Sequence, residues 1–253
     1  VLNRWSWLAL GFGAYVAFTL ASFPAATAYR WFVPEPVKLT ELQGTLWTGQ
    51  AASGSVADVA MSDVRWHVHP LSLLIGRLSA EVEARLTGGF VSASVSATRK
   101  AVELTDLKAG TTLPALRAAL PLAGLRGLAS VDIARLRLEN GWPKVVVGRL
   151  SLANLEIPPL DDPGSQALVP LGNYQIDFDD RTPTDRIAAT FKDTGGPLEV
   201  SGTLALSSNR AYTIDGLIKP RADAPAALVQ GLALMTSEPD AQGRRKLHLP
   251  GTL

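Results

Sequence analysis

The sequence predicts a mainly β protein: an N-terminal transmembrane helix, then an antiparallel curved sheet or sandwich, with one or two short helices and room for two related halves. Three observations predict it. No charged residue lies between Arg4 and Arg30. Beyond Pro36, apolar and polar residues alternate with the period of a half-buried strand. Turn-forming residues interrupt that alternation roughly every 8–12 residues, the spacing of an all-β domain.

The run from Trp5 to Tyr29 exceeds the stretch of about 20 apolar residues that a helix needs to cross the hydrocarbon core. Trp5, Trp7, Tyr29 and Trp31 fall where an aromatic belt would lie at the membrane interface, with Arg4 and Arg30 beside them. Ala26-Thr27-Ala28 has the small-x-small form of a signal-peptide cleavage site, but the run outlasts the apolar region of about 7–15 residues that a signal peptide carries. A buried core helix would show a polar face, and Ser6, Thr19, Ser22 and Thr27 do not form one. Inside the run, Gly11-Phe12-Gly13 suits close packing between helices. Pro34 and Pro36 end the helix and stiffen its exit. Long domains translocate largely regardless of charge, so the simplest topology keeps a short stub inside the cell and the body outside.

Leu78, Ala80, Val82, Ala84 and Leu86 share one face of a strand, with Ser79, Glu81, Glu83 and Arg85 on the other. Gly88-Gly89 turns the chain, and Phe90 to Ala97 alternates again. Thr112 to Gly127 breaks the rhythm as a short helix or loop interrupted at Pro121. Val131 and Ile133 are out of phase with Leu136 and Leu138, so one face can hold all four only through a bulge. Asn140-Gly141 is a tight-turn pair, and Lys144 to Leu155 is the returning strand. Pro158 to Pro170, with Asp161-Asp162-Pro163-Gly164, is the most linker-like stretch. It divides the chain into residues 1–33 (stub and membrane helix), 34–158 (first β sub-domain) and 159–253 (second β sub-domain).

In the second half, strands are expected at Tyr174–Phe178, Arg186–Lys192, Leu198–Leu206 and Ala211–Lys219. Asp223 and Pro225 suit the start of a helix reaching Met235. Glu238 to Gly243 turns into a last strand near Lys246–Leu249. A faint internal echo relates Arg85–Val91 to Lys192–Val200, each with Thr-Gly-Gly after a strand.

With 24 basic and 23 acidic residues, the chain lacks the basic excess of a nucleic-acid binder; Arg244-Arg245-Lys246 reads as a charged hairpin flank. With no cysteine there is no disulfide, thiolate or Cys-ligated metal. His67 and His69 share one strand face, opposite Trp66 and Val68, but no third ligand stands near them in sequence; the remaining histidine is His248. Gly54-Ser55 and Gly164-Ser165 lack the closing glycine of a nucleophile elbow. Asp161-Asp162 and Asp179-Asp180 lie in turn-like sequence, where solvated turn carboxylates are the default. No enzyme, metal site or cofactor is expected. Trp47, flanked by Gly44 and Gly49, reads as a core aromatic at a β-bend, with an exposed partner-binding Trp as the other reading.

Four segments carry a family resemblance: Gly44-Thr45-Leu46-Trp47-Thr48-Gly49-Gln50-Ala51, Val64 to Leu78, Gly195 to Leu206, and Tyr212 to Ala222. Their order and spacing resemble protein N of the bacterial type II (general) secretion pathway, over nearly the whole chain. The resemblance implies a single-pass protein of a Gram-negative inner membrane, its body in the periplasm. It also implies an accessory role in exporting folded proteins across the outer membrane, with other secretion components as partners. It brings no catalytic residues. The motif residues Gly44, Trp47, Gly49, Trp66, Pro70, Gly76, Gly196, Pro197, Gly202, Tyr212, Gly216, Pro220 and Arg221 are expected to be structural. The second functional expectation is a periplasmic lipid-binding or lipid-transport groove of the AsmA or lipopolysaccharide-transport kind, since alternating apolar faces suit either a closed core or an open trough.

Overall fold

The computed structural model describes residues 4–32, 37–56, 58–117, 124–158, 168–179, 186–235 and 238–252. Two helices, α1 (Arg4–Ala21) and α2 (Ala25–Phe32), precede the sheet. Its first half contains β1 (Val37–Gly44), β2 (Thr48–Val56), β3 (Val59–His69), β4 (Leu78–Leu86), β5 (Gly89–Ala97), β6 (Ala101–Thr112), β7 (Arg126–Glu139) and β8 (Trp142–Ile157). The second half contains β9 (Val169–Asp179), β10 (Arg186–Gly195), β11 (Leu198–Ser207), β12 (Ala211–Pro220), the helix α3 (Ala226–Met235) and β13 (Arg245–Thr252). Short 3₁₀ turns cover Pro70–Ile75 and Leu113–Leu116. All 13 strands form one antiparallel sheet in the order of the sequence. The two halves are therefore one sheet, joined where β8 pairs with β9 through contacts such as Leu150 with Ile176.

The helical run is not continuous as expected. Pro24 has no N–H to give to Leu20, and the helix stops at Ala21 before restarting at Ala25. Pro24 forms a β-bridge with Thr45 instead, and the Phe23 carbonyl accepts the Leu46 N–H at 2.8 Å. Among the described residues, no helix is both long and apolar enough to cross a membrane. Residues 10–16 of α1 are all exposed, and seven consecutive helical residues sample every face, so no side of this segment packs on the body. Phe12 and Phe18 are 70% and 72% exposed.

The expected bulge is present. β7 and β8 slip register between Ile133 and Arg135, which keeps Val131, Ile133, Leu136 and Leu138 facing Leu150, Gly148, Val146 and Pro143. Asn140 and Gly141 both adopt positive φ, the tight hairpin turn their pairing predicts. Two positions shift. The β4–β5 turn is Thr87-Gly88, with Gly89 already paired to Leu86. Helix α3 starts at Ala226, where Pro225 accepts the N–H groups of Leu228 and Val229; Asp223 lies in the exposed turn before it and is not the cap. Pro34, Pro36, Pro121 and the Asp161–Gly164 linker fall outside the described residues.

One apolar row runs across the sheet: Ala84, Val91, Ala109, Val131, Leu150 and Ile176 face one another strand by strand, and Phe191, Gly202, Gly216 and Leu247 continue it to β13. Most of this row is half-buried. Two clusters are packed more fully. Ala51, Val64 and Ala84 meet near β2–β4, and Leu228 and Leu232 of α3 cover Leu198 and Val200. The chain exposes 16344 Å², against about 10,800 Å² for a compact monomer of 26.8 kDa.

Candidate functional site

The first group of motif residues builds the junction between α1 and the sheet. Gly44 turns β1 into β2 with φ +93, and a Cβ there would stand 2.8 Å from Gly49 Cα. The turn carries Trp47 to the end of α1, where its indole Nε1–H donates to the Leu20 carbonyl at 2.7 Å. That carbonyl is one of the orphan acceptors at a helix C-terminus. Trp47's own carbonyl accepts the Val68 N–H at 2.6 Å, so one residue ties α1 to β3. The expected core aromatic is thus a half-buried clasp.

Beside it, Trp66 lies over Gly49, its partner across β2–β3. A Cβ at Gly49 would come 2.8 Å from Trp66 Cε2 and 2.7 Å from the Gln43 carbonyl. The glycine gives the ring its seat, and Trp66 Nε1–H reaches the Thr45 carbonyl at 3.3 Å. Pro70 opens the 3₁₀ turn that follows β3, and Gly76 closes it at φ 70 by donating to the Leu73 carbonyl.

The residues expected at the membrane interface divide. Trp5 and Trp7 are exposed near the start of α1. Tyr29 turns instead toward β1, where its hydroxyl donates to the Val37 carbonyl at 2.9 Å and accepts the Leu39 N–H at 3.2 Å. It covers the outer edge of the sheet because the break at Pro24 folds α2 back along β1. Arg30 and Trp31 are exposed on α2, and Trp31 lies 5.8 Å from Phe23.

The second motif group lies mainly at the opposite end of the sheet. Arg221 Nη2 donates to Asp193 Oδ2 at 2.6 Å, and Nη1 donates to the carbonyls of Gly196 and Leu198 at 2.5 and 3.1 Å. The other Asp193 oxygen accepts the Val200 N–H at 2.8 Å. Burial works against the Asp193 charge, but the Val200 N–H and the Arg221 guanidinium outweigh it and hold the carboxyl below its ordinary range. The hydrogen bond to Asp193, helped by the charge of that carboxylate, in turn raises Arg221. Burial first, and then Asp193, push the nearby Tyr174 hydroxyl up to about 12. Pro197 is buried, Pro220 pairs with Leu198, and Gly196 approaches Gly172 too closely for a side chain. Further along the sheet, Gly202 and Gly216 seat the Phe191 ring, while Tyr212 covers Gly251. Asp193, Tyr174 and Phe191 complete this region, and none was among the expected motif residues.

The chemical candidates stay dispersed. His67 and His69 are exposed on one face as expected; His67 Nδ1 is 3.1 Å from the Thr48 hydroxyl and His69 is 3.4 Å from Glu81. His248 pairs with Asp215 at 2.6 Å on β12–β13. Among the described residues, no three His, Cys, Asp or Glu side chains gather as a metal site. An open groove of about 560 Å³ runs over Gln43, Gln50, Arg65, His67, Glu81 and Glu83 beside the junction. Exposed polar side chains share its walls with the half-buried Trp66.

Residues 35–248, from before β1 to within β13, match the family model described as type II secretion system (T2SS), protein N. The chain belongs to the type II secretion system protein N family. It is 29% identical to the type II secretion system protein N of Aeromonas hydrophila over 252 residues, 95% of each chain. Against the protein of the same description from Vibrio cholerae it is 28% identical over 232 residues, 87% of each chain. No solved structure matches this chain. Membership in protein N makes this a type II secretion component, and both motif groups belong to the matched region.

Proposed function

We propose that the protein is an inner-membrane-anchored accessory scaffold of type II secretion, its β body held in the periplasm to support export of folded proteins across the outer membrane. The observation that carries this reading is α1, apolar and exposed on every described face yet clasped to the sheet by Trp47. Such a helix needs an apolar surrounding. Its 18 residues span about 27 Å, close to the hydrocarbon thickness of about 30 Å. Local thinning and snorkelling of flanking residues accommodate a short span. The body, with its sub-domains at 34–158 and 159–253, then supplies a binding surface.

That surface includes a sheet edge. Tyr29 covers the β1 edge, whereas the outer edge of β13 pairs with no strand among the described residues. Strand addition there by another secretion component gives main-chain affinity without an active site. Cutting the chain back to residues 1–36 should leave it in the membrane but abolish secretion and co-purification; normal secretion by that truncation would overturn the reading. Photocrosslinkers at His248 should capture a partner that crosslinkers at Glu83, Arg85 and Glu199 miss.

A second reading rests on the half-buried apolar row. From β4 to β13 it crosses ten strands, a path of about 43 Å at the usual strand spacing, long enough to lie along an acyl chain. Lipid retained by the purified protein in native mass spectrometry would favour this groove over the scaffold.

A further inference from the structure

The 3₁₀ turn between β3 and β4 carries the most exposed apolar side chains of the sheet body: Leu71 is 76% and Ile75 78% exposed, with Leu73 and Leu78 beside them. A compact soluble surface scatters such residues singly, and a cluster marks a contact with something apolar. Its position identifies what that is. The turn begins at Pro70, two residues after Val68, whose N–H bonds to Trp47; Trp47 in turn holds the last turn of α1. The apolar turn and the root of the exposed helix therefore share one end of the sheet. The same end carries Arg77 and, in the neighbouring β5–β6 turn, Arg99 and Lys100, all exposed. Arg77 reaches Glu103 at 3.2 Å. Apolar side chains rimmed by cations are the chemistry of an anionic lipid surface.

We propose that the Pro70–Ile75 turn is a second membrane contact, with Leu71, Leu73 and Ile75 seated among the lipid headgroups while Arg77, Arg99 and Lys100 meet lipid phosphates. This rests on α1 lying in the bilayer, and adds to it a fixed orientation. A helix alone leaves the sheet free to swing, whereas two contacts at one end stand the strands up from the membrane. The β4–β5 turn, at the other end of the strands, then points away from it.

The chain has no cysteine, so single labels report cleanly. The full chain, reconstituted into vesicles of phosphatidylethanolamine and phosphatidylglycerol, would carry an environment-sensitive fluorophore on Ile75→Cys, Leu71→Cys, Phe12→Cys or Thr87→Cys, in turn. Quenchers would be placed on the lipid headgroup, on the acyl chain, or in water. The expected result is loss of fluorescence at 75 and 71 with the headgroup quencher, at 12 with the acyl-chain quencher, and at 87 only with the aqueous quencher. Quenching at 12 by acyl chains, with 71 and 75 open to water, would overturn the second contact while leaving the anchor standing. An aqueous signal at 12 would overturn the anchor, and the inference with it. Shielding at 71 and 75 that arises only when the secretion apparatus is present would assign the turn to a protein partner and overturn the lipid contact.

Discussion

Replacing Gly202 by alanine tests whether seating an aromatic ring on a glycine organises this sheet. Gly202 sits on β11 with Phe191 on one side and Gly216 on the other. A Cβ there would overlap the Phe191 ring, whose Cε1 would be 2.7 Å away, and also the Asp215 carbonyl oxygen. The ring can rotate aside. The carbonyl belongs to a strand paired on both edges and cannot withdraw without disturbing both ladders. Overpacking of this kind costs about 1–3 kcal/mol, a drop in melting temperature of roughly 2–12 °C for a body of this size. Two controls grade the effect. At Gly216 the nearest atoms would be 3.0 and 3.1 Å away, so alanine should cost less. At Gly110 the nearest is Phe90 Cε1 at 3.7 Å, an ordinary contact; alanine there should be neutral or stabilise by up to about 1 kcal/mol by restricting the unfolded chain. Thermal melts of the full chain followed by circular dichroism give the ranking directly. Adding Phe191→Leu should recover only part of the Gly202→Ala loss, because the carbonyl clash remains. A Gly202→Ala protein melting at or above wild type, or below which Gly216→Ala melts, would refute the steric reasoning.

Three further outcomes follow from the hydrogen bonds. Because the folded state holds the Asp193 carboxyl below its ordinary value of 3.8, its contribution is fully present above that value and is lost as the pH falls through the lower folded value; Asp193→Asn should flatten this acid limb in urea melts, and Asp193→Ala should cost roughly 1–3 kcal/mol at neutral pH by orphaning the Val200 N–H. Tyr29→Phe removes both hydrogen bonds that cover β1, at roughly 0.5–1.5 kcal/mol each, and hydrogen exchange at Leu39 should accelerate while that at β13 stays unchanged. Trp47→Phe keeps an aromatic ring but removes the N–H bound to the Leu20 carbonyl; labels on α1 and β3 should then show a broader distance distribution by electron spin resonance, and an unchanged distribution would remove Trp47 as the clasp.

What was readable in the sequence is what period two encodes. Val82 and Ala84 against Glu81 and Glu83 predict a face, and the phase slip from Ile133 to Leu136 predicts a bulge, because both depend on residues one or two positions apart. The break in the helical run was hidden because Pro24 sits among apolar residues that fit a membrane helix equally well, and the partners that accept the break, Thr45 and Leu46, lie in another element. Asp193 and Arg221 are 28 residues apart; only the registers of β10, β11 and β12 bring them together, and no local pattern sets those registers. The glycines near Trp47 were visible as unusual, but the ring that needs Gly49 belongs to Trp66 on the next strand. No element was expected over Leu71–Ile75, because the cues of the 3₁₀ turn there, Pro70 at the start and Gly76 in the left-handed region at the end, make sense only as a pair.

The order of the strands has a consequence for how such a chain comes to be built. Every strand from β2 to β12 lies between its two neighbours in sequence, so no segment must wait for one synthesised much later. Loops closed between adjacent strands carry the smallest entropic cost, and topologies rich in such near-neighbour pairings are the quicker to form. A chain delivered end-first can therefore zip vectorially, each arriving strand docking on the edge left by the one before. The growing edge moves along to β13, where Pro250 has no N–H to offer, so the stretch from Arg245 to Leu249 ahead of it is the part of that edge left for a further strand to extend.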